Sequence, residues 1–98
     1  MSLYVMEGHM RKIFGKINNK IGITSRIAAE LVAEANKASK CNLTLFCNDN
    51  SADLKSIMNM MSLVIRDQDE FTIQIEGENE EAIEAKFTEL LTQLKLMK

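Results

Sequence analysis

In the stretch "FTIQIE" (71–76) every second residue, Phe71, Ile73 and Ile75, is apolar. A few residues later the period changes, and from Asn79 the apolar residues Ala82/Ile83, Phe87, Leu90/Leu91 and Leu94 recur at helical spacing. A period of two presents one apolar face of a strand, and a period of 3.6 presents one apolar stripe of a helix. The same switch recurs along the whole chain. "RKIFGKI" (11–17) alternates, with Ile13, Gly15 and Ile17 on one face, and "NNKIG" reads as a loop. Ile27, Ala28, Leu31, Val32, Ala35 and Ala38 predict a helix from Thr24 to about Lys40. "NLTLFC" (42–47) alternates again, "NDNS" (48–51) signals a hairpin turn, and a short strand is expected around 51–54. "SIMNMMSLV" (56–64) reads as one or two helical turns with Ser56 as N-cap. The final helix carries glutamates in its first turn and Lys95 and Lys98 at its end, both in keeping with the helix dipole. One-faced strands and one-striped helices in the order β-α-β-β-α-β-α share a single core most economically as an α+β, two-layer open-faced sandwich. A four-stranded, mainly antiparallel sheet would carry three helices on one face.

With 98 residues the chain is expected to form one domain over 10–98, with residues 1–9 a leader or extension that precedes the fold. It contains no apolar run near the ~20 residues that cross a bilayer, and its start lacks a signal-peptide pattern, so the cytoplasm is the expected compartment, without membrane contact. Cys41 and Cys47 sit six residues apart on one expected strand, about 20 Å at ~3.3 Å per residue, too far for a disulfide. One histidine, two cysteines and no CxxC argue against a metal site, and no cofactor is implied. Residues 1–40 hold seven Lys/Arg against three acids, and residues 41–98 hold five against eleven. The basic side, with Lys20 and Arg26, would suit an acidic protein partner, but it is too sparse and too poor in aromatics for nucleic acid. No nucleophile with a base, no acid–base pair and no phosphate-cradling glycine loop marks an enzyme.

Two short stretches carry the chemistry. In "IGITSRIAAELVAEA" (21–35) a glycine and two hydroxyls open a helix. Thr24 is suited to N-capping it, and free amides at the helix start together with Arg26 would form an anion-binding mouth. In "LKSIMNMMSL" (54–63) Ser56 caps a short helix rich in methionine, a residue as suited to an adaptable docking surface as to a core.

These two stretches, with the element order around them, resemble the HPr family of phosphotransferase-system phosphocarriers over about residues 10–96. The family's first motif is Gly-Ile-His-Ala-Arg-Pro, and its counterpart here is Gly22, Ile23, Thr24, Ser25, Arg26 and Ile27. The phosphoryl-bearing histidine is thus matched by Thr24. The resemblance implies regulatory phosphorylation at Ser56 by an HPr kinase/phosphorylase and partner docking through Ile57, Met58 and Met61. A family member in which the histidine is also replaced, the catabolite-repression HPr homologue, binds a LacI-type transcription regulator in its serine-phosphorylated form. A role of that kind in carbon catabolite control is one expectation. The other is a degenerate HPr-fold interaction module without phosphorylation, favoured by Ile27 in place of proline and by Asn59 and Val64 where the family commonly has glycine.

Overall fold

A computed structural model describes residues 10–96; the expected leader over 1–9, its His9, and Lys98 lie outside the described residues. Four strands and three helices follow in the expected order: β1 (Met10–Lys16), α1 (Ser25–Lys37), β2 (Cys41–Cys47), β3 (Asn50–Asp53), α2 (Ile57–Met61), β4 (Glu70–Gly77) and α3 (Glu80–Gln93). The strands form one sheet in the order β1-β4-β2-β3, every pair antiparallel. In one row of the register Ile13, Ile73, Leu45 and Ala52 lie side by side across all four strands. These four are buried beneath Ile27 and Leu31 of α1, Met60 of α2, and Phe87 and Leu91 of α3. The open-faced α+β sandwich therefore has its core between the sheet and its helices, and its other sheet face in solvent.

Element ends depart from the periodicity for local reasons. Ile17 lies past the end of β1 but stays fully buried, exchanging backbone bonds with Asp69 and Gln68. Helix α1 stops at Lys37 rather than Lys40, because residues 38–40 turn the chain into β2. Ala38 closes the helix on the Ala35 carbonyl, and its own carbonyl accepts from the Lys55 ammonium at 2.7 Å. The β2–β3 hairpin turns on Asn48 and Asp49 alone, both left-handed (φ 52° and 66°), so β3 begins earlier than expected, at Asn50. Such a two-residue turn favours Asn and Asp, which tolerate positive φ. Helix α2 ends at Met61 instead of continuing to Val64, as the Ser62 hydroxyl donates to the Asn59 carbonyl at 2.6 Å.

The last helix requires a larger correction. Lys95 is not in its final turn: α3 ends at Gln93, and Lys95 follows the cap in left-handed conformation (φ 60°). The Lys95 amide donates to Thr92 and the Leu96 amide to Leu91, the paired bonds of a Schellman ending, and Leu96 is buried. Ala82 is exposed, so the apolar stripe narrows to Ile83, Phe87, Leu90, Leu91 and Leu94. Glycine is the residue best adapted to the position Lys95 holds. Lys95→Gly should accordingly stabilise the fold by about 0.5–1 kcal/mol, read as a raised urea midpoint with unchanged slope.

Candidate functional site

The start of α1 is positioned by a strap of backbone and short polar bonds. Ile23 donates its amide to the Ile65 carbonyl at 3.2 Å, Asn19 donates to the Asp67 carboxylate at 3.2 Å, and Ile21 donates to the Asn19 side chain at 2.9 Å. Gly22, at φ 79°, lies so close to this loop that a Cβ there would meet the Ile65 carbonyl oxygen. Residues 21–23 therefore run beside 64–66. Thr24 leaves this strap extended and caps α1, its Oγ1 accepting from the Ile27 amide at 3.3 Å. The amides of Ser25 and Arg26 find no acceptor among the described residues and face outward from the helix start. Two free amides at the positive end of a thirteen-residue helix form an anion-binding mouth. Arg26 does not close over it: its guanidinium pairs with Glu30 one turn further on, at 2.9 Å, and both side chains are largely in solvent. An exposed pair of this spacing contributes about 0.3–0.5 kcal/mol, so an anion at the mouth could draw Arg26 away.

Ser56 occupies the equivalent position on α2, with its Oγ accepting from the Asn59 amide at 3.2 Å. The segment before it is fixed to the far half of α1, where the Asn36 side-chain amide donates to the carbonyls of Val32 (2.9 Å) and Lys55 (3.1 Å). With residues 64–66 back beside 21–23, α2 runs from the end of α1 towards its start. The structure thus separates Ser56 and Thr24, placing them towards opposite ends of α2.

Apolar side chains lie between the two hydroxyls. Met60 alone of the α2 residues is buried; Ile57, Met58 and Met61 are exposed, Met58 by 78%. Leu63 also packs inward. Two further exposed residues extend the same strip, Val64 after the helix and Ile21 on the strap. Neither lies in a regular element whose period could have marked it. The signal available in the sequence was an aliphatic residue in each of two loops, Ile21 two residues before Ile23 and Val64 between Leu63 and Ile65. Flexible methionines flanked by aliphatics form a surface adapted to a partner's apolar side chains.

Cys41 and Cys47 are free, buried thiols on β2. Cys41 donates to the Glu78 carbonyl at 2.8 Å. Burial pushes both thiols above the ordinary range, reinforced by Glu80 near Cys41 and Asp69 near Cys47, so neither is an activated nucleophile at neutral pH. Among the described residues no group of His, Cys, Asp and Glu is arranged to hold a metal, and no helix is long and apolar enough to cross a membrane.

Comparison with known proteins places these features in context. Residues 15–93 match the family model described as PTS HPr component phosphorylation site. The chain is 40% identical over 77 residues to the phosphocarrier protein HPr of Mycoplasma capricolum subsp. capricolum, covering 78% of this chain and 85% of that one. The HPr of Mycoplasma pneumoniae is 40% identical over 73 residues, 74% and 82% of the two chains. Among solved structures, a mycoplasma histidine-containing phosphocarrier protein superposes with a TM-score of 0.85 at 32% identity, over 90% of this chain and 99% of that one. The Bacillus subtilis catabolite-repression protein Crh, described as a domain-swapped dimer, superposes with a TM-score of 0.65 at 29% identity, over 85% and 93%.

Proposed function

This chain belongs to the HPr family of the phosphotransferase system, and on that premise we propose that it is a regulatory member that does not relay phosphoryl groups. In this reading Thr24 stands in place of the carrier histidine. Ser56 is phosphorylated by an HPr kinase/phosphorylase in the cytoplasm, and the strip of Ile57, Met58 and Met61 then docks a LacI-type transcription regulator in carbon catabolite control.

The observation that carries the proposal is the hydroxyl at the mouth of α1. Thr24 caps the helix there, and residues 10–96 contain no imidazole at all. A relay needs an acceptor that takes a phosphoryl group from one phosphohistidine and yields it to another, and the labile N–P bond of a phosphoimidazole allows this. A threonine phosphate ester is far more stable and would hold the group. Likeness to Crh, a catabolite-repression protein by its description, supports a regulatory role. A phosphate on Ser56 would add about −1.5 to −2 charges beside Asp53 and Lys55. It could accept from the Ile57 and Met58 amides, which have no acceptor among the described residues. The surface nearest Thr24 carries exposed Lys20 and Arg26, which suit an acidic protein partner.

A second reading, an interaction module without phosphorylation, is favoured by Asn59. Its side chain accepts from the Asp53 amide at 3.4 Å, against the start of α2, at a position where the family commonly has glycine. The two readings part in one experiment. Incubation with ATP and an HPr kinase/phosphorylase should add one phosphate to the intact mass, and Ser56→Ala should add none. An unmodified wild-type chain, beside an ordinary HPr modified in the same tube, would favour the second reading.

A further inference from the structure

The sheet register sets two exposed phenylalanines among polar and charged residues, on the side away from the helices. Phe14, Thr72, Phe46 and Ser51 form one row across β1, β4, β2 and β3. Phe14 is 72% exposed and Phe46 40%. The next row on the same face is Lys12, Gln74, Thr44 and Asp53, and beyond these rows Glu76 and Glu70 stand near the two ends of β4. Lys12 and Asp53 thus hold the two outer strands of one row with opposite charge, and neither is in an ion pair among the described residues. One Asp53 oxygen accepts from the Lys55 amide at 2.9 Å, and the other has no donor among the described residues.

We propose that this face binds a second copy of the chain, sheet against sheet, about a two-fold axis that lies between the sheets and runs along the strands. The charges select that axis. Rotation about it reverses the strand order and keeps the rows in line, so β1 lies over the partner's β3. Lys12 then faces Asp53 of the partner subunit, and symmetry makes the contact twice. Phe46 falls over the partner's β4, next to the column that carries the partner's Phe14, and the aromatic rings interleave along one row. A two-fold axis across the strands inverts the rows instead. It brings Glu70 onto the partner's Glu76 or Lys12 onto the partner's Lys16, according to where it crosses, and either opposes like charges. Sheets packed about 10 Å apart and rotated by about 30° leave the long Lys12 side chain within reach of its counterpart.

The face is small, about 14 Å between outer strands at ~4.8 Å spacing. It lies at the low end of specific interfaces, so the dimer is weak and forms at about 100 μM or above. Sedimentation of the full chain at low salt, from about 10 μM to about 1 mM, should show the mass rising from monomer towards dimer. Lys12→Asp and Asp53→Lys should each weaken association about tenfold or more, since each opposes two pairs of like charges. Mixing the two variants should restore it, because both contacts in the mixed dimer are then complementary. That gain cannot arise from a misfolded variant. Phe14→Ser should weaken association without affecting fold, checked by circular dichroism. A monomer at every concentration overturns the proposal and leaves the face to a different partner. A dimer indifferent to Lys12→Asp, or mixed variants that stay apart, also overturns it by placing the contact elsewhere, on the α2 strip or through exchanged strands.

Discussion

Gly77→Ala should lower the stability of this protein by about 2–5 kcal/mol, a large share of the ~5–15 kcal/mol that holds such a domain together. Two costs fall on the same atom. Gly77 sits at φ 142°, a conformation that L side chains rarely adopt, and a Cβ there would lie 2.3 Å from the Lys40 carbonyl oxygen and 2.8 Å from the Cys41 Cα. Left-handed backbone strain costs about 1–2 kcal/mol, and forced overpacking about 1–3 kcal/mol more. Nothing flexible is available to yield, because the obstacles are backbone atoms of the neighbouring strand. The junction is also where three elements meet. The Gly77 amide donates to the buried Glu80 carboxylate at 2.8 Å, fixing the start of α3, while Cys41 of β2 donates to the Glu78 carbonyl. Asn79, the N-cap of α3, makes no side-chain cap bond, so the Glu80 carboxylate is the side chain that ties the start of this helix to β4. Urea unfolding measures the effect; a loss below about 1 kcal/mol would mean that the end of β4 relaxes at little cost.

The second large effect is chemical. With phosphoenolpyruvate and the phosphohistidine-bearing first enzyme of the phosphotransferase system, the wild-type chain should gain no phosphate, whereas Thr24→His should gain one that is acid-labile. The substitution places an imidazole beside the free amides of Ser25 and Arg26, and the exposed Arg26–Glu30 pair opposes the release of Arg26 only weakly. Loss of the Thr24 cap costs about 1 kcal/mol, which the fold can tolerate. Intact mass before and after acid treatment reads the outcome. An acid-labile phosphate on the wild-type chain would overturn the assignment of Thr24 to the carrier position and direct attention to His9. A Thr24→His variant that stays unmodified would show that the mouth is not competent for transfer.

What could be read from the sequence follows from the range of the forces involved. Strands and helices announce themselves within a few residues, and so β4 with its Phe71, Ile73 and Ile75, α1, and the two hydroxyl caps were legible. Strand order was not, because β1 pairs with β4 across some sixty residues of chain, and no local pattern selects its partner. The same limit applies to the methionines of α2. Their spacing fits a helix, but whether Met58 or Met60 turns inward depends on where α1 lies. Arg26 shows the limit on a single side chain. Its place at a helix mouth suggests an anion, yet a glutamate four residues on offers a nearer partner. Ile21 and Val64 belong to the site only through the Ile23–Ile65 hydrogen bond that draws their loops together.

The strip on α2, with Ser56 at one end and the mouth of α1 towards the other, has a consequence for order in time. The exposed side chains of α2 form a strip only five helical residues long. Under the proposed function, an enzyme that writes or erases a phosphate on Ser56 and a regulator that reads it would compete for that strip. A regulator bound there would shield the phosphate that recruited it, and the length of such a signal would be set by how long the reader stays.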